Sequence, residues 1–222
     1  MMVGGVAPSG MARKSSAMRL DRRVLPIVSL LAVLAWTSNP PPESQQSASP
    51  KMAATRTDGL AAWQRVYSVL THPRCINCHT ARDYPQQGDD RHRHFANVVR
   101  GPDGKGVPAL QCITCHQETN ADSTGVPGAH DWHLAPLSMK WQDLNENILS
   151  SAEVCRALTD RSKNNNRDGA ALLKHHAVEP LVLWAFHPGR GIDGRMRTLP
   201  PLTHEEFVAA ARGWVEAGMP CP

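Results

Sequence analysis

The sequence predicts a mainly α fold, a small, loop-rich all-α domain. Three observations lead there. Apolar residues recur at helical spacing near both ends of the domain. No stretch alternates convincingly as a strand would. The middle, residues 80–135, is broken by turn signals such as "GPDGKGVP" (Gly101 to Pro108) and "STGVPG" (Ser123 to Gly128).

The elements follow in chain order. Arg13, Lys14, Arg19, Arg22 and Arg23 precede the apolar run Val24 to Trp36. A basic region before a short apolar run reads as a secretory signal peptide over 1–36. The run is too short to span a bilayer comfortably, which makes an uncleaved N-terminal anchor the lesser reading. Residues 37–57, rich in Pro, Ser, Gln and Ala, read as a flexible linker. The domain proper is expected over 58–222. A first helix begins at Asp58, with Leu60, Trp63, Tyr67 and Leu70 on one face, and Pro73 closes it. Ser150 and Glu153 form a possible capping box, and Asp168 caps a helix that Pro180 ends. Thr203 and Glu206 form a second box before a helix stopped by Gly218 and Pro220.

Charge excludes one class of function. Of 24 Lys/Arg and 20 Asp/Glu, five and one lie in residues 1–36, which leaves 19 of each beyond them. The basic balance belongs to the leader, so it does not point to nucleic-acid binding. The turn-rich Gly101 to Pro108 lacks the G-x-x-x-x-G-K-[ST] pattern of a phosphate loop.

Of six cysteines, four form "CINCH" (75–79) and "CITCH" (112–116). Both match C-x-x-C-H, the attachment motif of haem c. Thiols three residues apart form thioethers with the two vinyl groups of one haem, and the adjacent His lies beneath the iron. His makes up 11 of 222 residues, so two such coincidences by chance are roughly one in four hundred. A four-cysteine zinc site would leave His79 and His116 without roles. A thioredoxin-like redox pair needs a βαβ context that is absent, and disulfides within each motif would be strained. The expected cofactors are two haem c, bound through Cys75, Cys78, Cys112 and Cys115, with His79 and His116 as proximal ligands. With chain this loopy and only three Phe and two Tyr, a porphyrin would also supply buried apolar area.

Each iron of an electron carrier takes a sixth ligand, His or Met. After His79 come twelve residues and then His92-x-His94, and after His116 come thirteen residues and then His130-x-x-His133. This weak repeat pairs His94 with the first haem and His133 with the second. His92, His130, Met139 and His175 are the other distal candidates. "RHRH" (91–94) reads alternatively as a basic loop, or as a source of arginines for the propionates. Trp132, Trp141 and Trp184 are candidates to line haem faces. Cys155 and Cys221 are left over; in an oxidising compartment they form a disulfide, the alternative being one buried and one free thiol.

At "CINCHTARDYPQQGDDRHRH", "CITCHQ", "HDWHLAPLSMKW" and "EAGMPCP" the chain resembles a family of small exported dihaem c-type cytochromes, whose members are often labelled isoquinoline 1-oxidoreductase subunit. The resemblance runs from about residue 60 to the end. It implies partnership with a molybdenum-containing hydroxylase or dehydrogenase and not hydroxylation by this chain, which carries no molybdopterin or iron–sulfur motif. The expectation is a periplasmic dihaem cytochrome c domain that relays single electrons from that partner to a downstream acceptor. The alternatives are a peroxidase-like haem enzyme with one open axial site, or a haem-based sensor.

Overall fold

A computed structural model describes residues 54–222. The signal-peptide and most of the linker readings lie outside the described residues. Among those described, the fold is mostly helical, with two very small sheets.

Helix α1 (Arg56–Leu70) starts two residues before the expected Asp58 and takes the end of the expected linker. The reason is a capping box that the sequence reading missed. Thr55 Oγ1 accepts from the Asp58 amide while the Asp58 carboxylate accepts from the Thr55 amide, so Asp58 is the third helical residue. The buried face is also rotated from the expected one: Trp63, Val66, Val69 and Leu70 are buried, while Leu60 and Tyr67 flank them. Pro73 does not merely end α1. It opens a short second helix, α2 (Pro73–Ile76), in the first-turn position where its missing N–H costs nothing.

The next seventy residues are irregular. Strands β1 (Gln86–Gln87) and β2 (His92–Arg93) pair antiparallel, Gln86 with Arg93 and Gln87 with His92. Strands β3 (Gly106–Val107) and β4 (Leu110–Gln111) form a second hairpin. Two-residue strands carry no alternation to read, which is why the sequence showed none. 3₁₀ turns follow at Cys112–Thr114 and Leu137–Met139.

Helices α3 (Ser151–Thr159), α4 (Gly169–Val178), α5 (Pro180–Phe186) and α6 (His204–Glu216) complete the fold. The boxes at Ser150 and Thr203 and the Asp168 cap are formed as the sequence predicts. The helices share one core. Trp63 of α1 meets Trp214 of α6 with ring centres 4.9 Å apart, and Val154, Leu158, Leu172, Phe186 and Phe207 close round them. The indole N–H groups are satisfied, Trp63 donating to Ser151 Oγ and Trp214 to the Pro220 carbonyl. Gly59 admits the C-terminal segment against α1, since a Cβ there would sit 2.6 Å from Ala217 and Pro220. Cys155 and Cys221 form a disulfide that ties α3 to this segment.

Candidate functional site

Both C-x-x-C-H stretches fold into the same turn. In the first, the amides of Cys78 and His79 both donate to the Cys75 carbonyl. In the second, Cys115 and His116 donate to the Cys112 carbonyl. One helical turn puts residues i, i+3 and i+4 on one side, so each pair of thiols and its histidine face the same way. All four cysteines are unpaired thiols, in contrast to Cys155 and Cys221. Burial, followed by the neighbouring cysteine, pushes the Cys75 thiol up to about 12 and the Cys78 thiol to about 11.

The two histidines are oriented alike. His79 Nδ1 lies 2.6 Å from the Met139 carbonyl, and His116 Nδ1 lies 2.8 Å from the Pro127 carbonyl. A ring nitrogen beside a carbonyl carries the proton, so in each ring Nε2 keeps the lone pair a metal needs. Each ring is also stacked on a tryptophan: His79 on Trp141 at 3.4 Å and 5°, His116 on Trp132 at 4.4 Å and 2°. Burial is the first cause of a lowered pKa at both, and it holds His79 down to about 3. Both are therefore neutral donors at neutral pH.

Each motif opens into its own cleft. The first is lined by Cys75, Cys78 and His79 with His133, Met139 and His175. The second is lined by Cys112, Cys115 and His116 with His92, His94 and Phe95. Arg74, Cys78, Trp132, His133 and Trp184 line both, so the clefts share a wall. The second has a volume of ≈ 760 Å³, within the roughly 300–1,000 Å³ of cofactor pockets. The first has ≈ 140 Å³, so seating a porphyrin there requires its walls to part.

The distal candidates fall differently from the sequence repeat. His94 faces not its own motif but the second one, its ring centre 6.0 Å from that of His116. His133 lies on the shared wall and not in the second half alone, with Nδ1 2.5 Å from the Asp131 carbonyl. The intervening hairpin explains the crossing, because β1 and β2 fold the chain back before it reaches His94. His175 lines the first cleft, and burial holds its ring down to about 4. Met139 is buried on that cleft, and its backbone carbonyl lies against His79 Nδ1. His92 is turned toward Asp90, 2.6 Å from its carboxylate. His130 is exposed beside Glu118 and lines neither cleft. The arginines of "RHRH" are engaged elsewhere, Arg91 with Gln142 and the Glu146 carbonyl, Arg93 over the Tyr84 ring.

The polar bookkeeping singles out the same two clefts. Among the described residues, buried side-chain polar atoms without a partner belong to Arg74, Asn77, Gln86, His92, His94, Trp141 and His176. Every one of these residues lines one cleft or the other. Unsatisfied buried groups are costly and rare, so their concentration here fits surfaces built to meet another group. Among the described residues no three or more His, Cys, Asp or Glu side chains converge as a metal site would need. Opposed pairs of donors are what a haem takes, because the porphyrin itself supplies four nitrogens. The residues present fit haem c.

Sequence reasoning missed the Met139 and Pro127 carbonyls, the crossed placement of His94 and the shared wall. None has a signal in spacing. Trp132, Trp141 and Trp184 all line the clefts, and Trp141 and Trp132 are in addition stacked on the His79 and His116 rings. No protein-family model, no curated protein and no solved structure matches the chain.

Proposed function

We propose that this protein is an exported dihaem c-type cytochrome that relays single electrons between a partner dehydrogenase or hydroxylase and a downstream acceptor. The observation that carries the reading is the duplicated arrangement: two C-x-x-C-H turns, each with Nδ1 of its histidine tied to a carbonyl and Nε2 free toward a cleft. Haem c supplies the one-electron iron couple when bound. The chain's part is to clamp and orient. Cys75 and Cys78 hold one group, Cys112 and Cys115 the other. His79 and His116 would be the proximal donors, and His175, on the wall of the first cleft, would be a candidate for the second donor there.

The shared wall supports electron exchange between the two centres, since Cys78 of one attachment turn lines the cleft of the other. The disulfide fits an oxidising compartment such as the periplasm. Among the described residues no helix is long and apolar enough to cross a membrane. The resemblance to small dihaem cytochromes makes a molybdenum-containing hydroxylase the first partner to try.

A pyridine haemochrome assay on the mature protein tests the reading. Two covalent haems per chain are expected, and fewer than two reject it. Carbon monoxide binding by the reduced, unaltered protein would turn the reading toward a haem enzyme or sensor with an open axial face.

A further inference from the structure

The second cleft is lined by a pair of histidines from two different segments of the chain. His116 comes from the second attachment turn, and His94 comes from the residue after β2. Their ring centres are 6.0 Å apart with the planes crossed at 69°. Two metal–imidazole bonds of about 2 Å, plus roughly 1 Å from each ring nitrogen to its centre, span about 6 Å. The observed separation matches the one two imidazoles would keep across a single iron.

His94 is held there by structure and not by chance. Its amide donates to the Pro85 carbonyl at 3.1 Å, which extends the β1–β2 ladder. The hairpin is in turn fastened to the first motif. Asn77, inside "CINCH", donates from Nδ2 to the Gly88 carbonyl and accepts from the Gln86 amide on its backbone oxygen. His94 Nδ1 is buried without a partner, so nothing in the protein claims this ring. The other donors on the cleft are not set against His116. His92 and His133 also have Nδ1 engaged, by Asp90 and the Asp131 carbonyl, but His92 is stacked on Phe95 and neither ring packs against that of His116 as His94 does. Met196 is largely exposed.

We propose that His94 is the distal ligand of the haem iron held by His116, so that the loop following the first attachment motif caps the second haem. The inference rests on the dihaem reading above. It makes the second iron bis-histidine, with steeply crossed rings. It also makes the two halves interdependent: the first motif fixes the hairpin, and the hairpin completes the coordination of the second haem.

The test uses the full mature holoprotein. Its ferric electron paramagnetic resonance spectrum should contain the strongly anisotropic low-spin signal of crossed imidazole planes. His94→Ala should keep two covalent haems and convert one of them, about half of the total, to a high-spin form. Added imidazole should return that fraction to low spin. His94→Met should stay low-spin, gain the near-infrared charge-transfer band of His/Met ligation and shift one haem to higher potential. His92→Ala should leave both haems as they are. Two haems in His94→Ala, both low-spin as in the parent, would overturn the assignment, as would conversion by His92→Ala instead. If His94→Ala does not accumulate, His94→Met decides: no His/Met band sinks the idea. Fewer than two covalent haems in the unaltered protein is a separate outcome, and it fails the dihaem reading itself.

Discussion

"CINCH" and "CITCH" differ at one residue, yet the protein treats them oppositely. Ile76 of the first is fully buried and belongs to the helical core. Ile113 of the second is 60% exposed, and no residue of its 3₁₀ turn is buried. The first motif sits on α2, two residues after α1, so it inherits the α1 core. The second follows a two-residue hairpin strand with no long helix beside it. Phe95, Ile192 and Met196 line the second cleft and are 70%, 84% and 61% exposed. Exposed apolar side chains gathered round a wide cleft are what a porphyrin would cover. The motif is the same in both; the neighbouring elements decide how much protein surrounds it. The helical half has a core of its own, and in the loop half the haem would be most of the core.

Removing one attachment site at a time puts the greatest strain on this contrast. Cys112→Ala with Cys115→Ala should leave α1 and α3–α6 helical by far-ultraviolet circular dichroism. The same variant should become rapidly cleavable by protease in residues 95–130 and 187–199. Cys75→Ala with Cys78→Ala should be cut far less, because the narrow first cleft can close on itself. Equal cleavage of the two variants would break the comparison.

The tryptophans behind the proximal rings offer a sharper version. Trp141 is 4% exposed and part of the core, whereas Trp132 is half-buried. Trp141→Ala should cost ~3–5 kcal/mol in urea unfolding, the range for truncating a buried aromatic ring. Trp132→Ala should cost clearly less while loosening His116, seen as a broadened spectrum of the second haem alone.

The disulfide belongs wholly to the helical half. It closes a separation of 66 residues, for which chain entropy gives ~4 kcal/mol at most. Cys155→Ser with Cys221→Ser should lower the denaturant midpoint of the helices by up to that amount. The ligation state of both haems should be unchanged in native buffer.

How much of this was legible in the sequence follows the same division. In the helical half the signals are local: Ser150 with Glu153, Asp168, Thr203 with Glu206, and the Pro180 stop all sit where the chain itself needs them. The Thr55–Asp58 box has the same logic and was missed only because Asp58 itself reads as a cap. The C-x-x-C-H turns were legible because the motif is defined by both residue type and spacing. The placement of the other histidines was not. His94 reaches His116 only after a hairpin reverses the chain, and Met139 reaches His79 across 60 positions. Contacts made by loop closure leave no period behind, so a repeat in spacing suggested the uncrossed pairing.

The smallest effect tests whether the helical half is stabilised locally and independently of the clefts. At the start of α6, Thr203 Oγ1 accepts from the Glu206 amide, and the Glu206 carboxylate accepts from the Thr203 amide and hydroxyl. Thr203→Ala should cost ~1 kcal/mol. Glu206 adds a pH dependence whose sign is fixed. The Thr203 backbone amide, and then its hydroxyl, hold the Glu206 carboxyl below its ordinary 4.5. The unfolded chain therefore binds the proton more readily. The contribution is complete above about pH 4.5 and is lost as pH falls through the lowered folded value. Glu206→Gln should flatten the stability of the helices over that acid range. Because the box touches neither cleft, both variants should leave the two haem spectra untouched. A spectral change in either would mean that the start of α6 is coupled to the clefts through core residues such as Leu158, Leu172 and Phe207, which line the first of them.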